Sequence, residues 1–128
     1  MKSINIEGCD NSPKVILNFT EGKIEITGES YPENTFDFYQ PILTWLYDYF
    51  NAPQKRTIVD LNLLYFNSST VQVLFEIFDI FQDNIGKTEL IINWYYDKDD
   101  SDWQDDFNYF AEEFEMLKFN AVGESKTY

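Results

Sequence analysis

Two short stretches of the chain carry residue types that could do chemistry. The first is acidic: Asp97, Asp99, Asp100, Asp102, Asp105 and Asp106 lie close together, and residues 97–115 hold nine acids against one lysine. Carboxylates at this spacing suit a hard cation. Laid on a calcium-binding EF-hand loop, Asp97, Asp99, Ser101 and Asp105 take oxygen-ligand positions. Asp102 then stands where glycine makes the sharp turn, and Asn108 where a bidentate glutamate closes the site. The match fails at its most specific positions. The tract therefore reads first as carboxylates at a helix N-terminus, where the helix dipole favours them. An acidic calcium- or ligand-binding module over Asp97 to Asp106 is the alternative.

The second stretch is Tyr65-Phe66-Asn67-Ser68-Ser69-Thr70, at the point where a strand pattern gives way to a helix pattern. Ser69 with Gln72 three residues on reads as a capping box, which makes Ser69 the N-cap. Ser68 then lies just outside the helix with a free hydroxyl. A phosphate there would add about −1.5 to −2 charge beside a helix N-terminus, whose free N–H groups receive it. Residues 61–75 contain no charged side chain, so that phosphate would be the only charge on the segment.

Other chemistry is pruned by what the chain lacks. With no His, neither a Ser-His-Asp or Cys-His arrangement nor a His-containing zinc site can be built. No glycine-rich phosphate loop or nucleotide fingerprint is present, so neither an enzyme nor a cofactor is expected. A formal charge of −14, with 9 Lys+Arg against 23 Asp+Glu, argues against nucleic acid and against an anionic membrane surface. A single cysteine, Cys9, cannot form an internal disulfide, and no signal peptide or long apolar run is visible. These features suggest a cytoplasmic protein.

The elements that must position these stretches alternate. Residues 4–7 suit a short strand, and 15–19 with 23–27 suit a hairpin closed by Thr20-Glu21-Gly22. Phe36, Tyr39, Leu43, Leu46 and Phe50 mark one face of a helix, with Pro41 kinking it or opening its first turn. A strand over 57–66 turns Thr57, Val59, Leu61, Leu63 and Tyr65 to one side. The helix over 69–84 has two apolar stripes, Val71, Leu74, Phe78, Phe81 and Ile85, then Val73, Ile77 and Ile80. That is core packing, or in part a partner or dimer surface. A strand over 87–96, a helix over 102–115 and a short strand over 118–122 follow. Strand, helix and strand in this order require a parallel pair with a right-handed crossover. Because the strands alternate apolar and polar residues, one sheet face is at least partly solvated. The fold class is α/β (α+β): one domain over 1–128, with a mixed β-sheet of four to six strands and about three helices mainly on one face.

Several segments stand in an order that resembles a known family. They are Ser12-Pro13-Lys14-Val15, Gly28-Glu29-Ser30-Tyr31-Pro32-Glu33-Asn34, Phe38-Tyr39-Gln40-Pro41-Ile42-Leu43-Thr44-Trp45-Leu46, Tyr65-Phe66-Asn67-Ser68-Ser69 and Asn93-Trp94-Tyr95-Tyr96. Together they resemble the SiaC family of bacterial regulatory phosphoproteins, over roughly residues 12–119. The resemblance implies a partner-switching protein of the biofilm and cyclic di-GMP class, similar in general logic to STAS-type anti-sigma factor antagonists. It implies a serine/threonine kinase with a histidine-kinase-like ATPase fold, a PP2C-type phosphatase that reverses it, and a diguanylate cyclase bound and activated by the unphosphorylated form. The family's phosphorylated Thr corresponds to Ser68, and its second following Ser to Thr70. The acidic helix around Trp103 departs from the glycine-containing family pattern. Tyr31, Pro32, Glu33 and Asn34, with Tyr65, Phe66, Asn67, Ser69 and Thr70, are the expected docking surface. A dianion on it would oppose like charge across the interface, which can cost several kcal/mol.

Overall fold

A computed structural model describes residues 2–100 and 102–124. Six strands form one sheet: β1 (Ile4–Ile6), β2 (Lys14–Asn18), β3 (Lys23–Ser30), β4 (Arg56–Phe66), β5 (Glu89–Asp97) and β6 (Phe119–Glu124). Their spatial order is their chain order. The first three pair antiparallel and β3 to β6 pair parallel, as the strand–helix–strand pattern requires. Three helices make the crossovers: α1 (Thr35–Tyr49), α2 (Ser68–Asp83) and α3 (Trp103–Glu113). At the β2–β3 hairpin Gly22 has φ +67, and a side chain there would strike the Arg56 carbonyl oxygen at 2.5 Å. Pro41 lies inside a continuous α1, six residues after its start.

One sheet face carries the core. Val15, Leu17, Ile24, Ile26, Val59, Leu61, Ile92 and Trp94 alternate along β2 to β5 and are fully buried beneath the helices. The opposite face is polar. Lys23 pairs with Asp60 at 2.8 Å, Asn93 donates to Asp60 at 3.0 Å, and Asn120 donates to Asn93 at 3.2 Å, forming a ladder across β3, β4, β5 and β6.

The two apolar stripes of α2 are both core. Phe78 meets Trp94, Phe110 and Phe119 at ring separations of 5.9, 5.2 and 5.1 Å. On its flanks, Phe81 meets Phe50 beyond the end of α1, and Phe75 meets Tyr109 and Phe110 of α3. With a helix on each side and a sheet below, α2 buries Val73, Ile77 and Ile80 as well. The second stripe is core: Val73 is 7%, Ile77 1% and Ile80 3% exposed.

The strand pattern fails at one place. Between Gly28 and Glu29 of β3 the register shifts: Gly28 faces Leu63, but Glu29 faces Tyr65. Leu64 is the extra residue of a β-bulge, and after it the faces exchange. Tyr65 therefore leaves the core side and is 53% exposed, contrary to its place in the apolar alternation, while Phe66 turns inward.

Candidate functional site

Because β3 and β4 run parallel and end in register at Ser30 and Phe66, the segments that follow them leave the sheet side by side. The Asn67 N–H donates to the Ser30 carbonyl at 3.1 Å and tacks the two exits together. The rings of Tyr31 and Tyr65 then meet edge to face at 5.8 Å. Each exit ends in an asparagine that caps a helix. Asn34 accepts from the Asp37 N–H and Asn67 from the Thr70 N–H, both at 3.0 Å.

The second cap corrects the capping box expected at Ser69. Asn67 is the N-cap of α2, and Ser68 is its first residue and not a loop residue outside it. An asparagine carbonyl reaches the third helical N–H as well as a serine hydroxyl does, so Gln72 is not needed to complete a box. Ser68 and Ser69 are both exposed. Thr70 is fully buried.

A chain of buried hydroxyls explains the difference. Thr70 Oγ1 donates to the Ser30 carbonyl at 3.0 Å, which uses its only proton. Ser30 Oγ must then donate to Thr70 Oγ1 at 2.9 Å, and the Tyr39 hydroxyl to Ser30 Oγ at 2.7 Å. Burial pushes the Tyr39 phenol up to about 12, with the Ser30 hydrogen bond acting the other way. The first turn of α2 is thus tied to β3 and α1 from below while its two serines face out. Reading by pattern missed Ser30 and Tyr39. The available signal was a serine in phase with Ile24 and Ile26, where an apolar residue is the rule.

Between the two exits lies a cleft of about 430 Å³. Pro32, Glu33 and Asn34 form one wall, continued by Thr35 and Phe36; Asn67, Ser69, Gln72, Val73 and Glu76 form the other. The structure therefore brings the segment 31–34 and the segment 65–70 together. Ser69 lines the cleft and Ser68 stands beside it. Phe36 is 60% exposed at the lip and not part of the α1 core face.

The acidic stretch sits at the same end of the sheet, after β5. Asp97 accepts from the Asp99 N–H and Asp100 from the Asp102 N–H, both at 3.0 Å, so these carboxylates hold their own turn. Ser101 lies outside the described residues. Among those described, no set of three or more acids or Cys converges to hold a metal ion. Burial, then Asp100, Asp105 and Asp102, raise the pKa of Asp106 above the usual carboxylate range.

Comparison with known proteins agrees with this geometry. The model of the SiaC family of regulatory phosphoproteins matches residues 6–124. The chain belongs to the SiaC family. A relative from Pseudomonas aeruginosa strain UCBPP-PA14, the uncharacterized protein PA14_02130, is 26% identical over 99 residues, which are 77% of this chain and 79% of that relative. The solved structure of SiaC of Pseudomonas aeruginosa is similar with a TM-score of 0.79 at 25% identity, covering 98% of this chain and all of that one. A second structure, the diguanylate cyclase SiaD in complex with its activator SiaC from Pseudomonas aeruginosa, is similar in fold with a TM-score of 0.81 at 24% identity, covering 94% and 99% of the two chains. The SiaC family is one of regulatory phosphoproteins. Among the described residues, no helix is long and apolar enough to cross a membrane.

Proposed function

We propose that this SiaC-family chain is a partner switch written on Ser68. A serine/threonine kinase with a histidine-kinase-like ATPase fold transfers the γ-phosphoryl group of ATP to the Ser68 hydroxyl and releases ADP. A PP2C-type phosphatase hydrolyses the ester. The unphosphorylated form binds and activates a diguanylate cyclase, as the Pseudomonas aeruginosa SiaC is named to do for SiaD. Docking uses the segment 31–34 with Tyr65, Phe66, Asn67, Ser69 and Thr70, where Thr70 acts from beneath by holding the turn.

The observation that carries the reading is the exposed hydroxyl of Ser68 at the first position of α2, within a segment, residues 61–75, that has no charged side chain and exposes Leu64 and Tyr65 beside Tyr31. A surface of that kind is buried against a partner at little cost. A dianion on it is not, because removing a charge from water without a counter-charge is heavily unfavourable. The free N–H groups of the first turn accept the phosphate without unfolding the helix, so the effect falls on binding and not on folding.

Incubation with the cognate kinase and ATP, followed by mass spectrometry, should place the phosphate on the Ser68 peptide and leave Thr70 unmodified. In pull-downs with the cyclase, Ser68→Ala should bind like the wild type and Ser68→Asp should lose about tenfold or more in affinity. Equal binding by the two variants, or a phosphate found only elsewhere, would sink the proposal.

A further inference from the structure

Three hydroxyl residues, Ser68, Ser69 and Thr70, stand in a row at the start of α2. On a helix consecutive side chains point about 100° apart, so only one of the three faces a given direction. That distinction lasts only while the turn is held. A first turn is where a helix frays most readily, since its leading N–H groups have no partner within the helix. Four hydrogen bonds hold this one. The Ser30 carbonyl accepts from the Asn67 N–H at 3.1 Å and from Thr70 Oγ1 at 3.0 Å, gripping the chain on both sides of the two exposed serines. Asn67 accepts twice, its Oδ1 from the Thr70 N–H at 3.0 Å and its carbonyl from the Val71 N–H at 3.1 Å. The Ser30 hydroxyl donates to Thr70 Oγ1 and is itself fixed by the Tyr39 hydroxyl from α1. Ser30, Tyr39 and Thr70 are all 0% exposed, so none of these side chains can touch another protein.

We infer that Tyr39, Ser30 and Thr70 are positioning residues that select the phosphate acceptor: they fix the first turn in the geometry that offers the Ser68 hydroxyl to a kinase and turns the Ser69 hydroxyl aside. This inference rests on the reading of Ser68 as the modified residue and adds what selects it over its neighbour. The fold separates the two serines, since Ser69 lines the cleft and Ser68 does not. Phosphoryl transfer needs the acceptor oxygen in line with the phosphorus, and a small misplacement costs much of the rate. On a held turn only one serine meets that demand. On a loosened turn the Ser69 hydroxyl, one residue away, reaches the same place. Thr70 is excluded altogether, because it is buried and its proton is already given to the Ser30 carbonyl.

The test compares phosphorylation of the full chain by the cognate kinase in variants that remove single buried hydroxyls. Thr70→Val replaces one with a methyl group of similar size. It should lower kcat at Ser68 about tenfold with KM nearly unchanged, because the exposed surface is intact, and mass spectrometry should find phosphate on Ser69 as well. Thr70→Ser keeps the hydroxyl and should restore both the rate and the single site. Tyr39→Phe leaves α2 itself untouched and should lower kcat at Ser68 about threefold, again with phosphate on Ser69. Should Thr70→Val fail to fold, Tyr39→Phe decides alone. Tyr49→Phe is the control. It breaks a hydroxyl pair of the same kind, Tyr49 with Thr57 at 2.7 Å, at the other end of α1, and should leave rate and site unchanged. Phosphate on Ser68 alone at the wild-type rate in Thr70→Val and Tyr39→Phe would overturn the inference and leave the switch reading standing. So would a Thr70→Ser variant that behaves like Thr70→Val, or the same changes in Tyr49→Phe, since lost stability would then be the cause. A wild-type chain phosphorylated only elsewhere overturns the switch reading, and this inference with it.

Discussion

At the scale of residues, the site is decided by which hydroxyls are already in use. Thr70, Ser30 and Tyr39 spend their protons on one another and on a carbonyl, whereas Ser68 and Ser69 face solvent. Tyr39→Phe leaves Ser30 Oγ without its donor and should cost about 1 kcal/mol of folding stability in denaturant unfolding. The same variant has a pH signature. In the unfolded chain Tyr39 ionises near its ordinary 10.0, and in the folded chain only at about 12. Its contribution is therefore intact below pH 10 and is lost as the pH rises through about 12. Tyr39→Phe should shed less stability than the wild type over that interval. Residue type and motif in the sequence nominate Ser68 and the segment 31–34, which the structure brings side by side. They do not reveal Ser30 or Tyr39, because a buried hydroxyl differs from an exposed one only by partners that are distant in the chain.

At the scale of elements, two asparagines and one inserted residue set the geometry. Asn67→Ala removes the cap of α2 and should cost about 1 kcal/mol, a fall of about 4 °C in Tm by calorimetry. Ser69→Ala should leave Tm almost unchanged, because Ser69 caps nothing. The reverse ranking would restore the capping box at Ser69. The helices and strands were legible because their apolar periods are long and regular. The bulge at Leu64 was not, because an extra residue leaves composition and hydrophobicity intact and changes only the parity of the residues after it. That parity places Tyr65 outward beside Tyr31. At the far end of α1, a second closed hydroxyl chain mirrors the first. The Gln54 N–H donates to Tyr49, Tyr49 to Thr57, Thr57 to Thr88, and Thr88 back to the Gln54 carbonyl. Both ends of α1 are thus pinned to the sheet by tyrosine hydroxyls, so the cleft has a rigid wall.

At the scale of the whole molecule, charge and topology have separate consequences. The −14 is concentrated late in the chain, and burial, then the charges of Asp100, Asp105 and Asp102, raise the Asp106 pKa. A carboxylate whose folded pKa is raised contributes stability below its unfolded pKa and loses it as the pH climbs through the folded one. Tm should therefore rise on acidification from neutral toward the carboxylate range, and Asp106→Asn should raise Tm at pH 7 and flatten that rise. A sharper rise in the variant would contradict the assignment. The sheet order has a different kind of consequence. Each strand is added at an edge, never between two strands already paired, so chain growth and sheet growth run in the same direction. Every parallel pair waits for only one helix, which keeps contacts short in sequence and closure entropy low. The chain can be folded in the order it is synthesised, with β6 arriving last at an exposed margin. Hydrogen exchange should accordingly be slowest in β3 and β4 and fastest, among the parallel strands, in β6.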